Sequence, residues 1–269
     1  MKTLSRIYTA IIMVFLYAPI AVMIVFSFNS ARSTSVFGGL SLQWYEELLH
    51  DSSTIEALKN TLVLAVLSSV IATVLGTLSA VGIFQTKRKF WRTSIMSVTN
   101  IPMMNPDIVT GISLMLLFVF VGAFVGAKDV LGFGTMLIAH ITFNLPYVIL
   151  SVLPKLRQTD PHLAEAARDL GCTPLQAFFK VVFPAIAPGI FTGLIMAFTL
   201  SLDDFVISYF TTGPDFQTLP IKIFSMTKRR VTPDMYALST LIFLSVLVLL
   251  ILINIAQSRS DKKKGEKKI

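Results

Sequence analysis

The chain has 269 residues, of which 54% are hydrophobic and 14% charged, and its mean hydropathy is +0.73. These values exclude an ordinary soluble domain of this length and indicate a membrane protein. The formal net charge of +8 does not indicate nucleic-acid binding, because the basic residues lie in loops beside apolar runs. The single cysteine, Cys172, excludes an internal disulfide.

The first apolar run extends from Ile7 to Phe28 and follows the basic residues Lys2 and Arg6. A membrane-spanning helix needs about 20 residues, so this run is predicted to be the first span. The alternative is a cleaved signal peptide, but the run is longer than the usual apolar core of about 7–15 residues.

A polar segment and a second span follow. Residues 29–60 carry Trp44 and Tyr45 among acidic residues and are expected to contain a short helix at the membrane surface. The second span, residues 61–84, is uncharged and contains small residues, which let helix backbones approach closely in lipid. These small residues are Ser68, Ser69, Gly76, Ser79, Ala80 and Gly82. A tight basic loop then extends from Lys87 to Arg92.

The third apolar stretch, residues 94–125, is too long for one straight span. Pro102 and Pro106 interrupt it, so we predict a short segment up to about Met104 and a helix that starts at Pro106. Asp107 comes directly after this interruption. Its charge would be favourable at a helix N-terminus, but broken helices at membrane depth also line cavities. Asp107 is therefore a candidate for a transport path.

The fourth span is predicted over residues 130–153 and contains two polar side chains. His140 and Asn144 lie four residues apart, and therefore on the same helix face. We favour hydrogen bonds to a neighbouring helix over direct contact with a transported solute as their role.

The stretch between the fourth and fifth spans, with the loop at residues 155–182, is predicted to form two short helices. Asp160–Pro161 and Thr173–Pro174 are typical helix starts, and Gly171 is a typical helix end. The apolar positions of the two helices are Leu163, Ala166, Ala167, Leu170, Phe178, Phe179, Val181 and Val182, before Pro184. Isolated helices shorter than about 12–15 residues are marginal, so this pair is expected to dock into a partner. The alternative is an interfacial helix–turn–helix without a partner.

The fifth span, residues 183–210, contains the adjacent acids Asp203 and Asp204 near its outer end. A carboxylate at the centre of a spanning helix costs about 2.5–3.5 kcal/mol, so such groups usually face a bundle interior or water. Consecutive helical residues point about 100° apart, so only one of these acids is expected to face a path for cations. The alternative is a pair of acids at the outer interface.

The C-terminal part contains an outer loop, a sixth span at residues 235–256 and a basic tail at residues 257–269. The loop from Thr211 to Pro233 is rich in turn residues and carries the basic run Lys228–Arg230. This composition suits a surface that meets a soluble binding protein. Contact with lipid headgroups is the alternative.

Six spans place both termini on the same side of the membrane, and the distribution of basic residues indicates which side. The side with the termini carries 16 Lys and Arg, against 7 on the opposite side. The excess of basic residues in cytoplasmic loops predicts cytoplasmic termini and a cytoplasmic loop at residues 155–182.

The spacing within this loop resembles a known family. Glu165-Ala166-Ala167, then Gly171, then Val181-Val182-Phe183-Pro184 are similar to the EAA loop of binding-protein-dependent ABC importer permeases. The family pattern has Ile and Leu where this chain has Val181 and Phe183, which are also apolar. The resemblance extends from about Thr61 to Ala256 and implies the type I permease fold, with the loop as the helix that couples to an ATPase. It assigns this coupling to Glu165, Ala166, Ala167, Gly171 and Pro184.

Within that family, the chain most resembles the membrane subunits of spermidine/putrescine importers. The segments that carry the resemblance are Pro106–Val109, His140–Phe143, Glu165–Gly171, Phe198–Asp204, Thr212–Pro214 and Leu219–Ile223. The resemblance implies two ATPase subunits, a second homologous permease chain and a periplasmic polyamine-binding protein as partners. Carboxylates such as Asp107, Asp203 and Asp204 would suit a polycationic substrate.

The sequence contains no G-x-x-x-x-G-K-[ST] phosphate-binding loop and no His/Cys cluster with metal-ligand spacing. We therefore expect a subunit without enzymatic activity, cofactor or metal, whose energy comes from ATP hydrolysis on a partner.

The combined prediction is an all-α, six-span inner-membrane permease. Its expected divisions are residues 1–60 for the first span and periplasmic segment, 61–256 for the transport core, and 257–269 for the cytoplasmic tail. Three alternatives remain: a permease for another solute delivered by a binding protein, an ion-coupled secondary transporter, and a membrane scaffold. The EAA-like loop argues against the second, and the broken, acid-bearing spans argue against the third.

Overall fold

The computed structural model describes residues 2–32, 36–127, 129–160, 162–228 and 232–266, with backbone only at residues 2, 3, 249, 250 and 252–266. In these ranges the chain is helical and has no strand; a single isolated bridge pairs Asn29 with Leu40. Five helices are long and apolar enough to cross a membrane, and the described apolar part of a further one, Pro233–Val248, is shorter. The chain is therefore an all-α protein with several candidate spans.

The helices in the N-terminal half are α1 (Lys2–Ser27), α2 (Gln43–His50), α3 (Ser52–Gln85), α4 (Lys89–Met104) and α5 (Asp107–Val125). Those in the C-terminal half are α6 (Phe133–Gln158), α7 (Leu163–Asp169), α8 (Pro174–Ala177), α9 (Phe183–Asp203), α10 (Val206–Thr211), α11 (Leu219–Thr227) and α12 (Pro233–Glu266). A π-helical segment, Phe178–Val182, joins α8 to α9.

Several predicted boundaries are confirmed. α4 ends at Met104 and α5 begins at Asp107, so the third apolar stretch is broken where Pro106 predicts. α2 is the short helix expected in the polar segment. That segment ends earlier than predicted, because α3 starts at Ser52. The Asp51 carboxylate accepts the Ser53 N–H at 3.1 Å and thereby starts this helix.

Two predicted elements are wrong. The fifth span is not one helix over residues 183–210, because α9 ends at Asp203 and α10 begins at Val206. The second helix of the loop is not separate from the span, because residues 174–203 form one continuous helical run. Pro184 has no N–H and would crowd the carbonyl four residues before it. The wider π-helical turn, in which Phe183 N–H bonds to the carbonyl of Phe178, accommodates this.

The chain divides into two compact units. The first contains residues 1–55 and 222–269, where α1 and α2 pack against α12. In this unit the Trp44 indole donates to the carbonyl of Asn29 at 2.6 Å, and the hydroxyls of Tyr45 and Ser27 lie 2.6 Å apart. These bonds fix α2 against the end of α1.

The second unit, residues 56–221, contains the apolar core. Here α6 packs along α9, and α5 packs against α10. Small residues allow this close packing: a Cβ on Gly76 would lie 2.6 Å from Val148, and one on Gly189 would lie 2.8 Å from the carbonyl of Ser151. Gly82, in contrast, has nothing within 4 Å of such a position. The predicted role of small residues is thus confirmed at Gly76 and not at Gly82.

Candidate functional site

Backbone hydrogen bonds close the end of α7 in the loop. The N–H of Cys172 bonds to the carbonyl of Ala167 at 3.1 Å, and that of Gly171 bonds to the carbonyl of Arg168 at 2.9 Å. These two bonds form a Schellman motif, which needs a left-handed residue at the position of Gly171. Gly171 has φ +89°, so the predicted helix terminator is confirmed.

The predicted apolar stripe of α7 is mostly uncovered within this chain. Ala167 is buried, whereas Ala166 is exposed and the Leu170 side chain is 86% exposed. Glu165 is also exposed and lies on the first turn. An open cavity of about 320 Å³ adjoins the loop, with Ala164, Glu165 and Arg168 in its wall. The loop therefore exposes apolar side chains, and the charged side chains of Glu165 and Arg168 border this cavity.

The second part of the loop begins with a complete capping box. The Thr173 hydroxyl accepts the Gln176 N–H at 3.3 Å, and the Gln176 side chain accepts the Thr173 N–H at 3.1 Å. The helical run that starts here continues without interruption into α9. Pro184 lies in the first turn of α9, is exposed, and so belongs to the span and not to a loop end.

An exposed ion pair lies at the start of α7. His162 Nδ1 is 3.0 Å from Glu165 Oε2, and the Asp160 carboxylate accepts the N–H of His162 at 2.9 Å. The hydrogen bond and the charge of Glu165, with a smaller contribution from Asp160, raise the pKa of His162. The predicted helix start at Asp160 is wrong, because α7 begins at Leu163 with His162 as its N-cap, and Asp160 bonds only to the turn before it. Pro161 lies outside the described residues.

A second polar region lies at the break between α9 and α10. The side chain of Asp204 is only 8% exposed and accepts the N–H of Ile207 at 3.3 Å and that of Ser208 at 2.7 Å. Asp204 therefore caps α10. Asp203, the last residue of α9, is exposed. The two acids thus differ in direction, as their adjacency predicts.

His140 connects this break to α6. Its ring is almost fully buried; Nδ1 lies 2.6 Å from the Ser201 hydroxyl and Nε2 lies 2.9 Å from the Ser208 hydroxyl. Nε2 is also 3.5 Å from Asp204 Oδ2. The predicted interhelical hydrogen bonding is confirmed for His140. For Asn144 it is wrong, because both polar atoms of its buried side chain lack a partner among the described residues.

Asp107 lies at the N-terminus of α5 and is exposed. This is where a carboxylate complements the helix dipole. The structure brings Asp204 together with His140, Ser201 and Ser208. Asp107 and Asp203 each lie at a helix end without an ion pair within the described residues.

Sequence reasoning did not identify the hydrogen-bonding role of Ser201 and Ser208, and it gave Ser68 only a role in close helix packing. Ser68 on α3 lies 2.9 Å from Ser201. An available signal was the Asp four residues before Ser208, which is typical of a helix start inside an apolar run. Among the described residues no group of three or more His, Cys, Asp or Glu could hold a metal ion.

The first unit contains a further polar cluster that the sequence did not predict. The Lys222 ammonium, only 11% exposed, donates to the Asp51 carboxylate at 2.6 Å and to the hydroxyls of Ser53 and Thr54 at 2.5 Å. This ammonium holds the pKa of Asp51 well below its usual range. Of the predicted outer basic run, Lys228 lies 4.6 Å from the centre of the Phe224 ring, while Arg229 and Arg230 lie outside the described residues.

Comparison with known proteins adds an independent line of evidence. A family model described as "Binding-protein-dependent transport system inner membrane component" matches residues 72–266. The putrescine transport system permease protein PotI of Escherichia coli is 38% identical over 250 residues, covering 93% of this chain and 89% of that protein. The spermidine/putrescine permease protein PotC of the same species is 38% identical over 251 residues, covering 93% and 92%.

Solved structures show the same fold at lower identity. A bacterial ABC transporter involved in the import of the acidic polysaccharide alginate matches with a TM-score of 0.73 and 18% identity, over 96% of this chain and 95% of that chain. The MetNI methionine ABC transporter matches with a TM-score of 0.59 and 20% identity, over 76% and 93%. The helical arrangement is therefore that of ABC importer membrane chains.

Proposed function

Because this chain belongs to the family of binding-protein-dependent transport system inner membrane components, we propose that it is the permease subunit of an ATP-driven importer of polyamines. The observation that carries the proposal is its identity with permeases named for putrescine and for spermidine, over nearly the whole chain. Flexible polycations need carboxylates along their path, and the exposed acids at two helix ends supply such groups.

The proposed topology has six spans with both termini in the cytoplasm. The five long apolar helices support it, together with α12 as the sixth span. The excess of Lys and Arg on one side supports the orientation. In this arrangement residues 61–256 form the transport core, flanked by the first span with its periplasmic segment and by the basic tail.

The proposed partners are two ATPase subunits, a second homologous permease and a periplasmic polyamine-binding protein. The ATPase would contact the loop through the exposed residues of α7, with Glu165 and Ala166 on the surface, Ala167 as a buried support and Gly171 as the turn. Pro184 would act through the helix that follows. Exposed apolar side chains such as Leu170 support this, because they gain from burial under a partner.

For the substrate path we propose that Asp203 is a cation-binding residue and that Asp107 is a second, weaker one. Asp203 is exposed at the end of α9. The Asp204 carboxylate, in contrast, accepts a backbone N–H of α10 and lies next to the His140 ring. We therefore assign Asp204 a supporting role beside the path. In this proposal Asp203, and not Asp204, meets an incoming cation.

The experiment is uptake by the reconstituted complex. The chain is co-expressed with the ATPase, second permease and binding protein proposed as its partners, and the complex is placed in proteoliposomes with ATP inside. Labelled putrescine and spermidine should enter only with ATP and the binding protein, and uptake should survive a protonophore. Uptake that the protonophore abolishes would support an ion-coupled carrier, and uptake of only another solute would reject the polyamine assignment.

A further inference from the structure

One buried imidazole bridges both sides of the break between α9 and α10. His140 on α6 is 1% exposed and contacts Ser201, on the last turn of α9, with one ring nitrogen. Its other nitrogen contacts Ser208 on α10. A single rigid ring therefore holds the ends of two helices at a fixed separation.

The break is otherwise held by Asp204. Its two oxygens accept the backbone N–H groups of Ile207 and Ser208, so the carboxylate is fixed to the start of α10. The same Oδ2 that accepts the Ser208 N–H lies 3.5 Å from His140 Nε2. The imidazole thus reaches both the carboxylate and the hydroxyl at the start of α10.

The Asp204 carboxylate fixes the direction of the hydrogen bonds. A neutral imidazole has one donor and one acceptor nitrogen. Next to the acceptor oxygens of Asp204, the proton is best placed on Nε2, so Nδ1 accepts from the Ser201 hydroxyl. Ser201 in turn lies 2.9 Å from the Ser68 hydroxyl on α3, which is then its donor. The chain of bonds runs from α3 through α9 and α6 to α10, and each link uses a buried group.

We propose that His140 is a positioning residue, which fixes the conformation of the break so that the Asp204 carboxylate stays buried against α10 and the neighbouring Asp203 carboxylate stays exposed. This inference rests on the proposed function, in which the Asp203 carboxylate binds an incoming cation. His140 touches no substrate in this role and acts through Asp204 and Ser208.

Two amide substitutions of His140 test whether its hydrogen bonds position α10 or whether its ring only fills space in the core. The side-chain amide of Gln reaches the place of Nε2, and that of Asn reaches the place of Nδ1. His140→Gln therefore keeps the contact with Ser208 and Asp204, while His140→Asn keeps only the contact with Ser201. If His140 positions α10, the Gln variant should preserve the conformation of the break between α9 and α10, and the Asn variant should change it.

The accessibility of position 203 measures this directly and needs no transported solute. In the complete complex with Cys172→Ser and Asp203→Cys, a membrane-impermeant maleimide should react with the single thiol of this chain, and labelling is measured on this chain after the subunits are separated. His140→Asn should change the labelling rate about fivefold or more, the effect of losing roughly one hydrogen bond, and His140→Gln should leave it within about twofold. Asp215→Cys, on the exposed loop after α10, is the control and should react equally in all backgrounds.

Equal labelling rates at position 203 in the wild-type, Gln and Asn backgrounds would overturn the inference. An unreactive thiol at position 203 in the wild-type background would also overturn it, since Asp203 would then not be presented outward. If His140→Asn fails to assemble, Ser208→Ala takes its place, because it keeps the N–H bonded to Asp204 and removes only the hydroxyl at Nε2. The expectation for Ser208→Ala is the same change in rate.

The outcomes also separate this inference from the proposed function. A labelling pattern as expected, in a complex that does not import polyamines, would retain the positioning role and reject the substrate. Polyamine uptake with unaltered labelling in every background would retain the substrate and reject the role of His140.

Discussion

The loop around α7 and the polar network around His140 satisfy their polar groups in opposite ways. In the loop the backbone is satisfied internally, by the Schellman motif at Gly171 and the capping box at Thr173, while side chains such as Leu170 stay uncovered. In the network the side chains of His140, Ser201 and Asp204 bond to one another and to α10, and His140 is almost completely buried.

The difference shows what each region requires. A loop with a rigid backbone and exposed apolar side chains has a defined shape and gains stability when a partner covers it. A buried polar network gains nothing from a partner, but it loses free energy when one of its members is removed, because the remaining groups stay unsatisfied. Substitutions in the loop should therefore impair assembly or coupling, and substitutions in the network should impair the stability or internal geometry of the subunit.

The largest effect is expected from Gly171→Val. A β-branched residue at φ +89° costs about 1–3 kcal/mol, and the strain would distort the surface that we propose contacts the ATPase. Stimulation of ATP hydrolysis by the loaded binding protein should fall about tenfold or more, while membrane insertion is retained. Gly126→Val is the matched control, since Gly126 has φ +77° at the end of α5 and also has nothing within 4 Å of a Cβ. Equal loss of coupling in both variants would contradict the assignment.

The second largest effect is expected from substitutions that distinguish the roles of the adjacent acids Asp203 and Asp204. Asp204→Asn removes one of two acceptor oxygens for the N–H groups of α10 and should lower the free energy of unfolding by about 1–3 kcal/mol, measured by denaturation in detergent. Asp203→Asn should leave this stability unchanged and lower the rate of polyamine uptake. The opposite pattern would show that the buried acid faces the path.

A smaller effect is expected from Glu165→Lys. Reversing an exposed charge beside a docking surface changes association by about 1.4- to fivefold, since such pairs contribute about 0.2–1 kcal/mol. The affinity of the permease for the ATPase, measured by titration in nanodiscs, should fall by this factor. Glu47→Lys makes the same change of charge at an exposed position of α2 and should have no effect.

The smallest effect concerns pH. Because the pKa of His162 is raised in the folded chain, the His162–Glu165 pair stabilises the loop fully below the unfolded pKa and ceases to do so as pH rises through the folded value. Glu165→Gln should lower the pKa of His162 in an NMR titration of labelled histidine. Asp169→Asn neutralises a neighbouring acid that does not contribute to the shift, and should leave that pKa unchanged. A pKa that is unaffected by Glu165→Gln would remove the basis for this pH dependence.

Local patterns in the sequence predicted the parts of the structure that local chemistry determines. Gly171 marked the end of α7, and Pro106 marked the break before α5. Each acts through its own backbone conformation and needs no distant contact. The break after Asp203 was not predicted, since no Gly or Pro interrupts the apolar run and its cause is the cap made by Asp204. The pair formed by Lys222 and Asp51 joins residues 171 positions apart, which no local pattern reveals.

The π-helical segment makes the loop continuous with the helix that follows it. Since Phe178–Val182 joins α8 to α9 without a loop, residues 174–203 form one continuous helical run of 30 residues, roughly 45 Å long at 1.5 Å per residue. One end of this run lies at the proposed ATPase contact, and the other ends at the break next to His140. The wide turn is the point along the run where helical register can shift by one residue while backbone bonds persist. A displacement of the loop by the proposed partner would therefore be expected to move the helix that carries Asp203.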